Sequence, residues 1–238
     1  MSSATIVLFD IDGTLLDLKG AGRRAFIRSI EAVFGWQDDL HYLSFAGSTD
    51  LNVLAQVMTA HGRPMTDEDV RRFFARLPVD LETAAGEPTA DPVIYPGVRE
   101  LLERLSADPA VVLALVTGNV ESCARIKLRK LELHHHFLLG AFGNEHADRR
   151  RIAALALQRV QATLPVGRPV RARYLIGDTP QDIAAARSVG ALSIAVATGR
   201  FGVEELRAAG ADHVLPDLGA TDRILNLLGL DKGRAGLL

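Results

Sequence analysis

The sequence predicts an α/β fold: a parallel sheet covered by helices on both faces, broken early by an all-helical insert. Three observations carry this. Short apolar runs recur at residues 5–9, 111–116, 137–142, 174–176 and 192–197, and they are continuous rather than alternating. Between the later runs lie segments whose apolar residues repeat at helical spacing. From residue 18 to 91, by contrast, helical segments follow one another with no strand-like run between them. Continuous apolar strands are buried on both faces, and strands alternating with helices are joined by crossovers into parallel sheets. The expected architecture is therefore a Rossmann-like, doubly wound core made of residues 1–17 and 92–238, with an inserted α-helical cap at 18–91.

The elements follow in order. The first strand, TIVLF, runs straight into Asp10-Ile11-Asp12-Gly13-Thr14. Residues 21–34, 50–61 and 67–77 read as helices, the last opened by Thr66 with Asp67, Glu68 and Asp69 in its first turn. The insert leaves through GEPTADP (86–92) and a turn at Tyr95-Pro96-Gly97. Residues 97–106 place Val98, Leu101, Leu102 and Leu105 on one helical face. Helices at 121–133, 150–164 and 182–189 separate the remaining strands, and the tail at 231–238 is expected to fray.

Composition narrows the function. With 27 basic and 29 acidic residues the net charge is −2, which argues against a nucleic-acid or anionic-membrane surface. No run reaches the roughly 20 apolar residues a bilayer span requires. The start MSSATIVLFD has neither the basic region nor the cleavage site of a secretion signal. The single Cys123 cannot form an internal disulfide. These features lead us to expect a cytoplasmic protein, monomeric or homodimeric, with no nucleic-acid or membrane partner.

In open parallel sheets, ligands bind at the carboxyl ends of the strands near a switch in strand order. Three strands end in reactive residues: Asp10-Ile11-Asp12-Gly13-Thr14, Thr117-Gly118-Asn119 and Asp178-Thr179-Pro180-Gln181-Asp182. If these strands are parallel, Asp10, Asp12 and Asp178 share one pocket. At about 4 Å and an effective dielectric near 20, each carboxylate pair repels by roughly 4 kcal/mol. Hard oxygen donors of this kind suit Mg²⁺, which favours a few carboxylates together with water and a substrate phosphate.

DIDGTLLD, LVTGN and GDTPQD, in this order and spacing, resemble the haloacid dehalogenase-like hydrolases, and within them the phosphoglycolate phosphatase-like members with an α-helical cap. The resemblance implies an Mg²⁺-dependent phosphatase acting on a small phosphate ester. Asp10 would attack phosphorus, and Asp12 would serve as acid and then base. Mg²⁺ would be held by Asp10, the Asp12 backbone carbonyl and Asp178. Thr117, Gly118 and Asn119 would bind the phosphoryl oxygens, with Thr14 beside them. Asp182 would orient the active-site cation or the waters of the metal.

The family commonly places a Lys between its second and last motifs. Here no Lys occurs between Lys130 and Lys232, so an Arg must fill that place: Arg149 first, Arg150 second. Arg23 and Thr49 in the insert are candidate substrate contacts, although the Gly47–Asp50 stretch also reads as a plain helix cap. Glu145 is a further candidate near the metal. His134-His135-His136 reads as a polar connection, since consecutive residues cannot all face one ion in regular structure. Among related chemistries, Asp12 argues against dehalogenation and the insert lacks a suitable Lys for phosphonate cleavage. A sugar phosphomutase and a non-catalytic binding protein remain the alternatives.

Overall fold

The computed structural model describes residues 3–88 and 91–230. The expected fraying at 231–238, and two residues of the 86–92 exit, lie outside that range. The core is a six-stranded parallel sheet. Its strands are β1 (Ala4–Phe9), β4 (Val111–Val116), β5 (Leu139–Ala141), β6 (Val170–Gly177), β7 (Leu192–Val196) and β8 (His213–Leu215), in spatial order β5-β4-β1-β6-β7-β8. The chain first winds outward from β1 through β4 to β5, then returns to β6 on the other side of β1. This reversal makes β1 the switch point, with the C-terminal ends of β4 and β6 on either side of it.

The side-chain alternation of an extended strand explains why β1 must be apolar throughout. Val7 and Phe9 enter the larger apolar cluster on one face, while Ile6 and Leu8 enter the smaller cluster on the other. The smaller cluster is completed by α6 (Arg149–Thr163) and α7 (Pro180–Ser188), through Ile152, Ala153, Ala156, Ala185 and Ala186. On the opposite face lie α4 (Val98–Ser106) and α5 (Glu121–Lys130). The chain closes with α8 (Val203–Ala208) and α9 (Thr221–Leu227).

Three helices lie between β1 and α4: α1 (Ala21–Phe34), α2 (Asp50–Ala60) and α3 (Asp67–Ala85). A small antiparallel pair, β2 (Leu16–Asp17) with β3 (Val93–Ile94), ties the two chain crossings between insert and sheet together. The helix starting at Thr66 has a full capping box: the Thr66 hydroxyl accepts from the Asp69 amide while Asp69 accepts from the Thr66 amide. That helix runs to Ala85, eight residues beyond the expected end, through Pro78. A proline inside a helix loses one backbone hydrogen bond. Here Leu81, Ala84 and Ala85 beyond it are buried in the main core, and that burial offsets the loss. The buried Asp80 is held by Arg76 and by the Ser29 hydroxyl of α1.

Candidate active site

The tips of β1, β4 and β6 meet at one rim, beneath the insert. Asp10 is the first residue beyond β1, and its amide donates to the Ile176 carbonyl at 3.0 Å. The chain then turns at Gly13, whose φ of +81° lies in the left-handed region. A β-carbon there would sit 2.3 Å from Asp178 Oδ2, so both the torsion and the space demand glycine. Gly199 confines Asp178 from the other side, with a β-carbon there lying 1.7 Å from the same oxygen. Thr14 Oγ1 donates to Asp178 Oδ1 at 3.3 Å, and the Thr198 hydroxyl donates to the Gly13 carbonyl at 2.5 Å. Asp178 is thus fixed by the turn that follows Asp10 rather than by its own loop alone.

Carboxylate oxygens of Asp10, Asp178 and Asp182 lie within 4.8 Å of one another, and all three residues are buried. Arg149 is the cation among them. It is the first residue of α6; Asp148 caps that helix by accepting from the Arg150 amide, and the turn directs Arg149 inward. Its Nη2 lies 2.5 Å from Asp10 Oδ1, its Nε donates to Asp182 Oδ1 at 2.8 Å, and Nη2 also donates to the Val116 carbonyl at 3.2 Å. Arg150 points the other way and pairs with Asp148 at the surface. Both oxygens of Asp182 are occupied, Oδ1 by Arg149 and Oδ2 by the amide and hydroxyl of Thr179.

Three carboxylates facing one guanidinium leave the cluster short of positive charge. Burial raises Asp10 to about 7, against the pull of Arg149 and with a further push from Asp182. Burial, then the neighbouring Asp10, raises Asp178 to about 8. Burial also works against the charge on Arg149, but Asp10 and Asp182 outweigh it and hold its pKa above the usual value. A hard divalent cation fits this donor set, because Asp178 and Asp10 present carboxylate oxygens that no other cation fully neutralises.

Thr117 and Asn119 stand next to the cluster. The Asn119 amide group donates to Thr117 Oγ1 at 2.8 Å and to Asp12 Oδ2 at 2.6 Å. Thr117 is fully buried, while the Asp12 carboxylate faces the open pocket. The pocket has a volume of about 470 Å³, within the range of small-molecule sites. Its walls come from the rim residues and from the insert, including Gly22, Arg23, Phe26, Phe45 and Ser48.

The insert is bolted to the rim at the start of α2. The amides of Asp50 and Leu51 donate to the carbonyls of Gly118 and Gly143, at 2.7 and 3.2 Å. Asp50 Oδ2 accepts from the Val120 amide at 2.8 Å, and the Thr49 hydroxyl donates to the Ala147 carbonyl at 3.0 Å. A β-carbon at Gly118 would lie 1.9 Å from the Ser48 carbonyl oxygen, so only glycine permits this approach.

These contacts place the remaining sequence candidates. Thr49 caps α2 and is 1% exposed; its hydroxyl is engaged with backbone and does not line the pocket. Arg23 lines the pocket, but its guanidinium also donates to the carbonyls of Asp39 and Leu40 and lies over Phe45. Glu145 accepts from the Phe142 amide and pairs with Arg159, away from the aspartate cluster. His134–His136 form a single 3₁₀ turn.

One charged residue of the site escaped the sequence reading. Lys127, on α5, is 4% exposed and donates to both carboxylate oxygens of Asp12, at 2.8 and 2.6 Å, and to Asn119 Oδ1 at 2.6 Å. The buried face of α5 consists of Cys123, Ala124, Lys127 and Leu128. A lysine inside an otherwise apolar helical stripe was the available signal.

Comparison with known proteins agrees with this geometry. The haloacid dehalogenase-like hydrolase family model matches residues 7–187. A phosphoglycolate phosphatase of Agrobacterium fabrum is 28% identical, covering 97% of this chain and 96% of its own. Another, from Chromobacterium violaceum, is 31% identical over 87% of this chain and 89% of its own. A hydrolase of known structure from Pseudomonas syringae shares the fold with a TM-score of 0.65 at 22% identity, covering 95% of this chain and 99% of its own. The family match spans most of the chain and contains all three rim motifs, and the protein belongs to the haloacid dehalogenase-like hydrolases.

Proposed function

We infer that this enzyme is a phosphatase, and we propose that it hydrolyses a small phosphomonoester through an aspartyl-phosphate on Asp10 with the help of Mg²⁺. The observation that carries this is the buried cluster of Asp10, Asp178 and Asp182 at the sheet's switch point, held by the single guanidinium of Arg149. The Asp10 carboxylate attacks phosphorus, and the bond from phosphorus to the ester oxygen breaks. Asp12, facing the open pocket, gives its proton to the departing alkoxide. It then takes a proton from the water that attacks the phosphoryl group, which releases phosphate and restores Asp10. Arg149 offsets the charge of Asp10 and of the arriving phosphate, with Asp182 fixing its orientation. Thr117 and the Gly118 amide contact the phosphoryl oxygens; Asn119, expected from the sequence to join them, instead holds the Thr117 hydroxyl and Asp12 in place, and Thr14 steadies Asp178. Asp10, Asp178 and the Asp12 backbone carbonyl would hold Mg²⁺, which would neutralise two anions that must meet.

The insert serves as a cap that closes the pocket from water. A volume of about 470 Å³ is that of a small-molecule site, and the named relatives make phosphoglycolate the first candidate. The buried Cys123 thiol and the near-neutral net charge support a cytoplasmic enzyme acting on soluble esters rather than nucleic acid or membranes. Among the described residues no helix is long and apolar enough to cross a membrane. The test is phosphate release from a panel of small phosphomonoesters, with Mg²⁺ and with excess chelator. Mg²⁺-dependent release concentrated on one compound supports the reading. A folded protein that releases none overturns it in favour of a mutase or a binding role.

A further inference from the structure

The Lys127 ammonium is the second buried cation of the pocket. Burying an ammonium is costly unless its charge and its N–H groups are matched. Here they are: the three acceptors are the two Asp12 oxygens and Asn119 Oδ1. The other carboxylate acting on it is Asp50 of α2. A β-carbon at Gly22 of α1 would lie 3.6 Å from Lys127 Nζ, so the first turn of α1 closes over the ammonium. Lys127 therefore has no N–H left for substrate, whereas the carboxylate it grips is the exposed one. That carboxylate lies just past β1, and Asn119 ties the pair back to the buried Thr117.

We propose that Lys127 is a positioning residue for Asp12. With Asn119 it fixes the Asp12 carboxyl at the place where the ester oxygen departs: in the acid form one Asp12 oxygen carries the proton while the other keeps the ammonium, so that the acid's orientation is set by α5 rather than by the turn that carries it. This rests on the reading of Asp12 as the acid–base group. A side chain that only stabilised the fold, or only tied the insert to the core through Asp50, would affect all substrates alike.

Leaving groups separate these cases. An alkyl ester needs its oxygen protonated as the bond breaks, whereas p-nitrophenolate leaves readily without a proton. General acids contribute about 10²- to 10⁴-fold to such steps. The experiment measures kcat/KM with Mg²⁺ for p-nitrophenyl phosphate and for the best alkyl ester of the panel. It compares the parent, Lys127→Met, Lys127→Arg, Asp12→Asn and the Lys127→Met/Asp12→Asn double variant. Lys127→Met is expected to lower kcat/KM for the alkyl ester at least about tenfold more than for the aryl ester. Its effect should disappear in the Asp12→Asn background. Lys127→Arg, which keeps the charge and restores part of the grip, should show a smaller split in the same direction; it decides the question if the Met variant does not fold. Equal losses on both esters, or an effect that adds in full to that of Asp12→Asn, overturn the proposal. If Asp12→Asn alone shows no leaving-group split, the assignment of Asp12 itself fails, a separate result.

Discussion

Replacing Asp178 by Asn should make the metal-free protein more stable near pH 8 while abolishing its response to Mg²⁺. Asp10 and Asp178 are 5% and 3% exposed, and with Asp182 they face one guanidinium. Burial carries Asp10 from 3.8 to about 7 and Asp178 from 3.8 to about 8. A carboxyl whose folded pKa lies above its unfolded value binds protons more tightly in the folded chain. Stability is then greatest below the unfolded value near 4 and falls as pH rises to about 8, opposite to the behaviour of a salt-bridged carboxylate. A tenfold change in proton affinity is about 1.4 kcal/mol. The cluster therefore withholds several kcal/mol of stability at pH 8 when no metal is bound. Asn keeps the shape of Asp178 and an oxygen for the Thr14 hydroxyl, and removes one charge. Each kcal/mol gained raises Tm by roughly 2–4 °C for a chain of this size. The assay is thermal unfolding of parent and variant in chelator from pH 5 to 8.5, then with Mg²⁺. The difference should be small at pH 5, grow to several degrees at pH 8, and reverse when Mg²⁺ stabilises only the parent. A variant less stable than the parent at pH 8 in chelator would refute the view of the cluster as uncompensated repulsion.

Other outcomes follow from the same contacts. Arg149→Met removes the cation that pairs with both Asp10 and Asp182; turnover should be lost, and unfolding in denaturant should show a loss of about 3–5 kcal/mol, as for a broken buried pair. Arg150→Ala removes only a surface pair with Asp148, so stability should change by less than about 1 kcal/mol and phosphate release should be unaltered. Gly118→Ala sets a β-carbon against the Ser48 carbonyl, so it should unseat the start of α2. Hydrogen exchange at the Asp50 and Leu51 amides should speed up in that variant, and KM should rise; unchanged protection would contradict the contact.

Much of the core was legible because its strands are apolar on both faces and stop abruptly at acids or a threonine. Asp10, Asp12 and Asp178 could be placed in one pocket on the condition that their strands run parallel, as they do. Arg149 was legible only through the family resemblance, which implies a cation between the second and last motifs where this chain has no lysine, and the sequence left Arg150 as the second choice. Other features were set by tertiary contacts that leave little trace in sequence. α3 continues through Pro78 because Leu81, Ala84 and Ala85 find burial in the main core. β2 and β3 have two residues each, too few for a period. β8 has three residues, and α8 and α9 have six and seven, less than two full helical turns. Phe137–Phe142, read as one strand, keeps only Leu139–Ala141 as strand, although both phenylalanines are buried. Thr49 is the helix cap that its local stretch suggested, whereas the bond from its hydroxyl to the Ala147 carbonyl, which places it in the seam between insert and sheet, has no local pattern. Lys127 was visible only as an anomaly on a buried helical face, and its partner Asp12 lies 115 positions earlier.

The central claim is that Asp10 carries the phosphoryl group. Its most direct test is to mix the protein with Mg²⁺ and the best substrate of the panel, quench in acid within the turnover time, and map the modified peptide by mass spectrometry. Asp12→Asn, which should slow hydrolysis of the intermediate, is run alongside to raise its level. The account predicts a phosphoryl group on Asp10, cleaved by hydroxylamine as an acyl phosphate, and absent from Asp10→Asn. An active enzyme with no such adduct in either protein, or an Asp10→Asn variant that still turns over at the parent's rate, would contradict it.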